Sequence, residues 1–417
     1  MVLEKTKRTI LLSIKWVFIC VLIGLFSGSA SAFLLVALKW AAHYRGDNSW
    51  IIWLLPIAGL IIGLGYHYYG SSVVKGNNLL LEEYQTPKKT IPLKMAPLVL
   101  FGTIITHLFG GSAGREGTAV QMGGALADQL TAIFKLNNSD RKTVIILGIS
   151  AGFASVFGTP LAGALFALEV LYFSKISYKS IVLSFLVAFI AYYTVAFWEV
   201  NHTHYYIPII PDFNINILLW IVPISILFGL SAMLFSRSTH YWAVLFSKIK
   251  YPPFRPLLGG ILFAIAIYFI GNSKYLGLGV PIIVESFTKP SEFYDFLIKI
   301  LLTGLTLGAG FKGGEVTPLF FIGATLGSAL SLVVPLPIGL LAGMGFVAVF
   351  SGATHTPIAC TIMGIELFGM QSGIYVGIAC FIAYMASGSI GIYHSQIVKG
   401  AKYHFYQRLK TKNLKNF

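Results

Sequence analysis

The chain has 417 residues, of which 56% are hydrophobic and 11% charged, and it carries 43 glycines. That balance excludes an ordinary water-soluble domain and reads as a polytopic membrane protein. The formal charge of +15 comes from 30 basic and 15 acidic residues, but no basic-aromatic module accompanies it, so nucleic acid is not an expected partner; the lipid bilayer is.

The first element is an apolar run over 16–42, preceded by Lys5, Lys7 and Arg8. Its "SGSASA" imitates the cleavage site of a secretory signal, yet the run continues through "FLLVALKW" and many spans follow, so a retained helix is expected. Further apolar runs cover 50–66, 95–110, 143–172, 179–198, 216–236, 256–271, 317–351 and 357–393. Several exceed the roughly 20 residues that cross a bilayer, and others are shorter or broken by Gly and Pro. Lys and Arg crowd both ends, at 5–15 and at Lys399, Lys402, Arg408, Lys410, Lys412 and Lys415, which puts both termini in the cytoplasm by the positive-inside bias. Cys20, Cys360 and Cys380 lie in apolar runs without metal-ligand spacing and read as small buried hydrophobes. His202 and His204 supply two metal ligands without a third, so a solvated loop and no metal are expected there.

The chain repeats itself. "ASVFGTPLAGALFALE" ends at Glu169 and "SGATHTPIACTIMGIE" at Glu366, an offset of 197. Gly59 with Gly260, Gly70 with Gly271, and Gly76 with Gly277 are each 201 apart, and Glu116 with Glu315 is 199 apart. The reading is of two related halves, 1–206 and 207–417, meeting at the polar, Pro-containing stretch 201–213, with no separate soluble domain. Repeats of this kind in transporters often run in opposite directions through the membrane, with broken helices meeting near its midplane.

The stretch Gly110–Thr118, "GGSAGREGT", interrupts apolar sequence with an arginine, a glutamate and glycines. Unwound backbone at membrane depth is tolerated only where it is buried in protein or lines a wet cavity. A helix starting at about Glu116 points the N–H groups around Arg115, Glu116 and Gly117, and its positive dipole end, into that cavity, which makes an anion site. Glu116 is itself an anion that can occupy the site, and it can take a proton when a second anion arrives, so it reads as gate and proton carrier; capping its own helix beside Arg115 is the plainer alternative. The counterpart is "GAGFKGGEVTP", Gly308–Pro318, where a helix beginning near Pro318 turns the N–H groups of Glu315 and Val316, and the Thr317 hydroxyl, toward the same cavity. Glu315 reads as a helix-terminal charge.

These residues resemble the CLC superfamily of anion channels and proton-coupled anion transporters. The family signature Gly-Lys/Arg-Glu-Gly-Pro is similar to Gly114-Arg115-Glu116-Gly117-Thr118, and Gly-x-Phe-x-Pro is similar to Gly314-Glu315-Val316-Thr317-Pro318. The signature Gly-Ser-Gly-x-Pro falls on Gly76-Asn77-Asn78-Leu79-Leu80, so Asn77 stands where a serine would touch a central chloride, and the family's central tyrosine is matched by Tyr393 in "GSIGIYHSQ". With Thr118 after Glu-Gly and Val316 in place of Phe, the departures look like the fluoride-exporting branch. A small, strongly hydrated anion needs close polar donors, which the Asn77 amide and the Thr317 hydroxyl would add. Asn77 capping its helix, and Tyr393 as a membrane-interface tyrosine, are the alternatives. Many proton-coupled chloride transporters of the family carry an inward-facing glutamate where this chain has Val170, so either the chain moves no protons or they reach Glu116 by another route, through the same cavity or by way of Glu83; the resemblance to fluoride exporters implies proton-coupled antiport.

The expectation is an all-α membrane protein of about 18 helices of uneven length in two inverted repeats, a homodimer with one pore per subunit in a bacterial plasma (inner) membrane. It would exchange fluoride for protons without a cofactor. Glu169 and Glu366 would be structural charges at helix ends. A chloride channel or chloride/proton exchanger on the same scaffold is the alternative. A membrane-embedded enzyme is the more distant one, since His107 and His355 are isolated and no nucleophile-base pair stands out.

Overall fold

The computed structural model describes residues 2–171 and 176–397 with Lys402 and Tyr406, and side chains from Leu11 onward. The side chains of Lys5, Lys7 and Arg8, and the basic residues Lys399, Arg408, Lys410, Lys412 and Lys415, lie outside the described residues. Among the described residues there are sixteen α-helices and no strand. The chain begins with α1 (Val2–Asp47), α2 (Leu55–Tyr68), α3 (Asn77–Gln85), α4 (Met95–Leu108), α5 (Glu116–Ile133), α6 (Asn138–Phe157), α7 (Pro160–Val170) and α8 (Tyr178–Phe197). An extended connection leads to α9 (Ile215–Ser247), α10 (Phe254–Ile270), α11 (Val280–Glu285), α12 (Asp295–Gly308), α13 (Val316–Leu330), α14 (Ile338–Thr354), α15 (Pro357–Phe368) and α16 (Gly373–Ala386).

The run through "SGSASA" is unbroken helix, as expected of a retained span. Among the described residues four segments are long and apolar enough to cross a membrane, Leu11–Asp47, Ser49–Tyr68, Tyr178–Phe197 and Ile215–Ser247, accompanied by shorter apolar helices. The three cysteines are buried and free. His202 corrects the expectation of a solvated loop: it is half-buried, stacked on Tyr192 at 6.3 Å between ring centroids and pressed onto Gly158, while His204 alone is exposed. Lys402, counted in the basic tail, is buried, with its Nζ 2.9 Å from Ser387 Oγ.

Matched parts of the chain meet reciprocally. The Glu169 carboxylate at the end of α7 accepts from the Ile358 and Ala359 N–H groups that open α15, at 3.1 and 2.8 Å. The Glu366 carboxylate at the end of α15 accepts from the Leu161 and Ala162 N–H groups that open α7, at 2.9 and 2.7 Å. The two helices therefore run antiparallel, each capped by the other's glutamate, which satisfies N–H groups that have no partner within their own helix. Gly76 and Gly277 share the same φ of +56°, in the region that glycine adopts without strain.

Candidate functional site

Two chain breaks form the centre. After α4 the backbone turns through Gly110–Arg115 before α5 starts, and after α12 it turns through Ala309–Glu315 before α13 starts. The turns pair as an antiparallel bridge: the Gly114 N–H donates to Gly314 O at 2.6 Å and the Gly314 N–H to Gly114 O at 2.7 Å. Only glycine permits this approach. A Cβ on Gly114 would stand 2.9 Å from Gly314 O, and one on Gly314 would stand 2.6 Å from Gly117 N. Ser112 and Thr303 tie the first turn to α12 through their hydroxyls at 2.8 Å. His107, isolated in sequence, brackets the same turn, its ring nitrogens 2.8 Å from Thr103 O and 3.0 Å from Ala113 O.

The two helix starts are thus brought side by side, and the Glu116 carboxylate, 1% exposed, lies across them. Its oxygens accept from the Thr317 N–H at 3.0 Å, from the Thr317 hydroxyl at 2.6 and 2.7 Å, and from the Arg115 N–H at 3.1 Å. Arg115 Nε stands 3.6 Å from Glu116 Oε1. A carboxylate held by backbone N–H groups at the opening of α13 fills the place where that helix attracts an anion. Val316 is the first residue of α13 and buried. Thr118, where proline was the family expectation, pairs its hydroxyl with that of Thr103 on α4 at 2.7 Å.

Hollows lie on both sides. On one side of Glu116 a narrow space is lined by Arg115, Thr203, Tyr205, Val280 and Thr317. It shares Phe157, Thr203, Tyr205 and Leu367 with a vestibule of about 350 Å³ that also holds Glu199, His202 and Glu366. On the other side is Gly117, whose missing side chain leaves room for Asn77: a Cβ there would be 3.0 Å from Asn77 Nδ2. Asn77 is the first residue of α3, after the N-cap Gly76, and its Oδ1 is buried without a protein partner. With Tyr393, Leu80, Val120, Phe166 and Val170 it walls a small inner cavity that bears no carboxylate. Asn77 and Tyr393 therefore share one cavity, and Tyr393 is buried rather than at an interface.

Two expectations change. Glu83 is not free to relay protons: its Oε2 accepts from Arg141 Nη1 at 3.0 Å and from the Lys88 and Lys89 N–H groups at 2.8 and 3.2 Å. Arg141 also grips both oxygens of Asp128, at 2.9 and 2.8 Å, so Glu83 anchors the loop after α3. The second change concerns the pairing of glutamates. Counted from the bridged glycines, Arg115 and Glu315 each precede a helix and Glu116 and Val316 each open one, so Val316 and not Glu315 holds the position equivalent to Glu116. Glu315 precedes α13 with its Oε2 3.8 Å from where a Cβ on Gly117 would stand, beside Asn77.

A latch that sequence reasoning missed joins the two walls of the inner cavity. Asn78, Glu82 and Gln85 line one face of α3 at helical spacing, and all three engage Ser395, two residues after Tyr393. The Ser395 N–H donates to Asn78 Oδ1 at 3.0 Å, its hydroxyl to Glu82 Oε1 at 3.0 Å, and Gln85 Nε2 to Ser395 O at 2.6 Å. The polar stripe in "NNLLLEEYQ" was visible; a partner more than 300 residues away was not.

Broken helices that meet inside an apolar bundle, with hollows on either side, define the architecture of a secondary transporter. The family model described as voltage gated chloride channel matches residues 58–388, and the chain belongs to that family, the CLC proteins, which are transport proteins rather than enzymes. A "Chloride/fluoride channel protein" of Pseudomonas syringae pv. tomato is 48% identical over 412 residues, covering 97% of this chain and 91% of the relative. An "H(+)/Cl(-) exchange transporter" of Cronobacter sakazakii is 25% identical over 402 residues, covering 87% and 83%. Among solved structures, a CLC-type fluoride/proton antiporter superposes with a TM-score of 0.89 at 35% identity over 93% of this chain and 98% of its own. A slow cyanobacterial Cl−/H+ antiporter gives 0.78 at 18% identity over 95% and 98%, a likeness of fold.

Proposed function

We propose that the protein is a fluoride/proton antiporter, exporting fluoride in exchange for protons, with Glu116 as the moving gate. The observation that carries this reading is the Glu116 carboxylate, bound by Thr317 at the opening of α13 between an outer vestibule and an inner cavity. A proton arriving through the vestibule neutralises Glu116 and weakens its charge-assisted bonds to Thr317. Fluoride coming past Asn77 and Tyr393 then takes the freed donors, namely the Thr317 N–H and hydroxyl and the N–H groups around Gly117 and Val316. Arg115 holds positive charge at the outer mouth. When fluoride leaves outward and the proton inward, the carboxylate returns. The Asn77 amide and the Thr317 hydroxyl favour fluoride over chloride because they replace water around a strongly hydrated ion. No cofactor takes part.

The likeness to proteins named for fluoride supports the substrate, and the bacterial relatives support a plasma (inner) membrane location. The basic ends support termini in the cytoplasm. The reciprocal caps and the paired turns support halves at 1–206 and 207–417 in opposite orientation, and we infer a homodimer with one pore per subunit from the family. The name of the Pseudomonas relative also includes chloride, which keeps a chloride exchanger as the second reading.

Fluoride and chloride efflux from loaded liposomes, measured side by side with proton uptake, separate the two; faster chloride efflux would overturn the fluoride reading. Glu116→Gln cannot carry the proton as a carboxyl does, so fluoride-driven proton uptake should disappear. Uptake at the wild-type rate in that variant would refute the gate.

A further inference from the structure

The structure has a second charged cavity that the transport pathway does not use. It measures about 320 Å³ and lies between the end of α2, the start of α10 and the turn before α13, with Tyr66, His67, Ser71, Arg255, Gly310 and Lys312 in its wall. The lining holds two cations and no carboxylate. Lys312 Nζ sits 3.9 Å over the Tyr66 ring, and among the described residues it has neither a hydrogen bond nor an ion pair. Arg255 spends its Nε on Ile249 O at 3.1 Å and Nη2 on Ser247 O at 3.2 Å. An ammonium packed on an aromatic face and left without an anion is a charge awaiting a counter-ion.

The surroundings say what kind. Next in the chain to the lining residues His67 and Arg255 stand exposed aromatics, Tyr68 at 68%, Tyr69 at 70% and Phe254 at 46%, the composition of a membrane–water boundary. Leu258 and Leu262, three and seven residues on from Arg255 and so on its face of α10, stand exposed. Lys248 is exposed at the end of α9, beside Ser247, whose carbonyl holds Arg255. A headgroup in the cavity would leave its acyl chains along that apolar face of α10, which free phosphate could not use.

We propose that this cavity binds the headgroup phosphate of an anionic phospholipid, with Lys312 and Arg255 as its cations. Basic pockets between helices at the membrane boundary recognise lipid headgroups in this way. The ligand then touches the transport machinery, because Lys312 begins Lys312-Gly313-Gly314-Glu315, the turn that sets the start of α13, and its Cβ and Cγ lie 2.9 Å from where a Cβ on Gly102 would stand. Lipid occupancy would hold that turn in register. This last consequence rests on the proposed transport function; the binding itself does not.

Native mass spectrometry of the purified full chain, offered equal phosphatidylglycerol and phosphatidylcholine, tests the site. Wild type should retain phosphatidylglycerol preferentially, Lys312→Met should retain about fivefold less, and Lys312→Arg should retain it as wild type does. Lys250→Gln, which removes an exposed charge outside the cavity, should leave retention unchanged. Equal retention of the two lipids by wild type needs no variant and would overturn the proposal. So would undiminished phosphatidylglycerol on Lys312→Met, or its displacement by millimolar inorganic phosphate, which would make the site one for the free ion. In liposomes, transport by wild type should be faster with phosphatidylglycerol present, and Lys312→Met should lose that dependence. If binding follows these expectations and neither fluoride nor chloride is carried, the transport reading fails and the lipid site stands.

Discussion

The two broken helices are built alike and do different work. In each, a helix ends, a glycine turn crosses to its partner, and a new helix starts, and the turns bond to each other through Gly114 and Gly314. At the first start stands Glu116; at the equivalent point of the second stands Val316, followed by Thr317 where the first half has Gly117. One half contributes the carboxylate and an open Cα, the other the hydroxyl and N–H that receive it. Near-symmetry supplies two electropositive helix ends, and the departures from symmetry put a carboxylate at one and its donors at the other. Two carboxylates facing each other would repel.

The comparison can be broken most severely at the bridge. Gly314→Ala puts a methyl 2.6 Å from Gly117 N and forces the two starts apart. Exchange should fall below detection with about 1–3 kcal/mol of lost stability, whereas Gly46→Ala, with open space around it, should change neither; liposome flux and thermal unfolding read both. Thr317→Val keeps the shape of the cradle but loses a hydroxyl bonded to a charged group, and exchange should slow roughly tenfold or more. An unaffected rate would show that the hydroxyl is not part of the site.

A smaller effect sharpens the contrast at the inner cavity. Asn78→Leu removes one of the three bonds that fasten Ser395 to α3, loosening the spacing of Asn77 and Tyr393, and should shift the fluoride-to-chloride rate ratio about fivefold. Asn78→Asp keeps the acceptor and should hold the wild-type ratio; if both variants behave alike, the latch does not govern selectivity. The smallest effect falls on the part where the halves are most alike. Glu169→Gln and Glu366→Gln each weaken one reciprocal cap and should lower stability by similar amounts, about 0.5–2 kcal/mol. A large loss for one and none for the other, measured by thermal unfolding, would end the equivalence of the two caps.

Much of this was legible beforehand. Composition, the helix starts at Glu116 and near Val316, the matched Thr-Pro and Glu segments, and the acid poised at a glycine break can all be read along the chain, since each depends on neighbouring residues. Spacing misled where the repeat is imperfect: an offset of 199 matched Glu116 to Glu315, while the bridged glycines, Gly114 and Gly314, and the two helix starts, Glu116 and Val316, are each 200 apart. Glu83 looked available because Arg141 is 58 residues away. His202 looked solvated because Gly158, which makes room for it, stands at the far-off end of α6.

Apolar length, glycine breaks and repetition suffice to specify a bundle of membrane helices in two related halves, because they act locally or through identity of pattern. Folding alone sets which helix start Glu116 leans on, that Glu169 and Glu366 exchange caps, that Ser395 is fastened to α3, and that Lys312 faces a cavity with no acid in its lining. Each of these is a contact between residues far apart in the chain, set by how the helices cross, and no residue carries the identity of such a partner in its own neighbourhood.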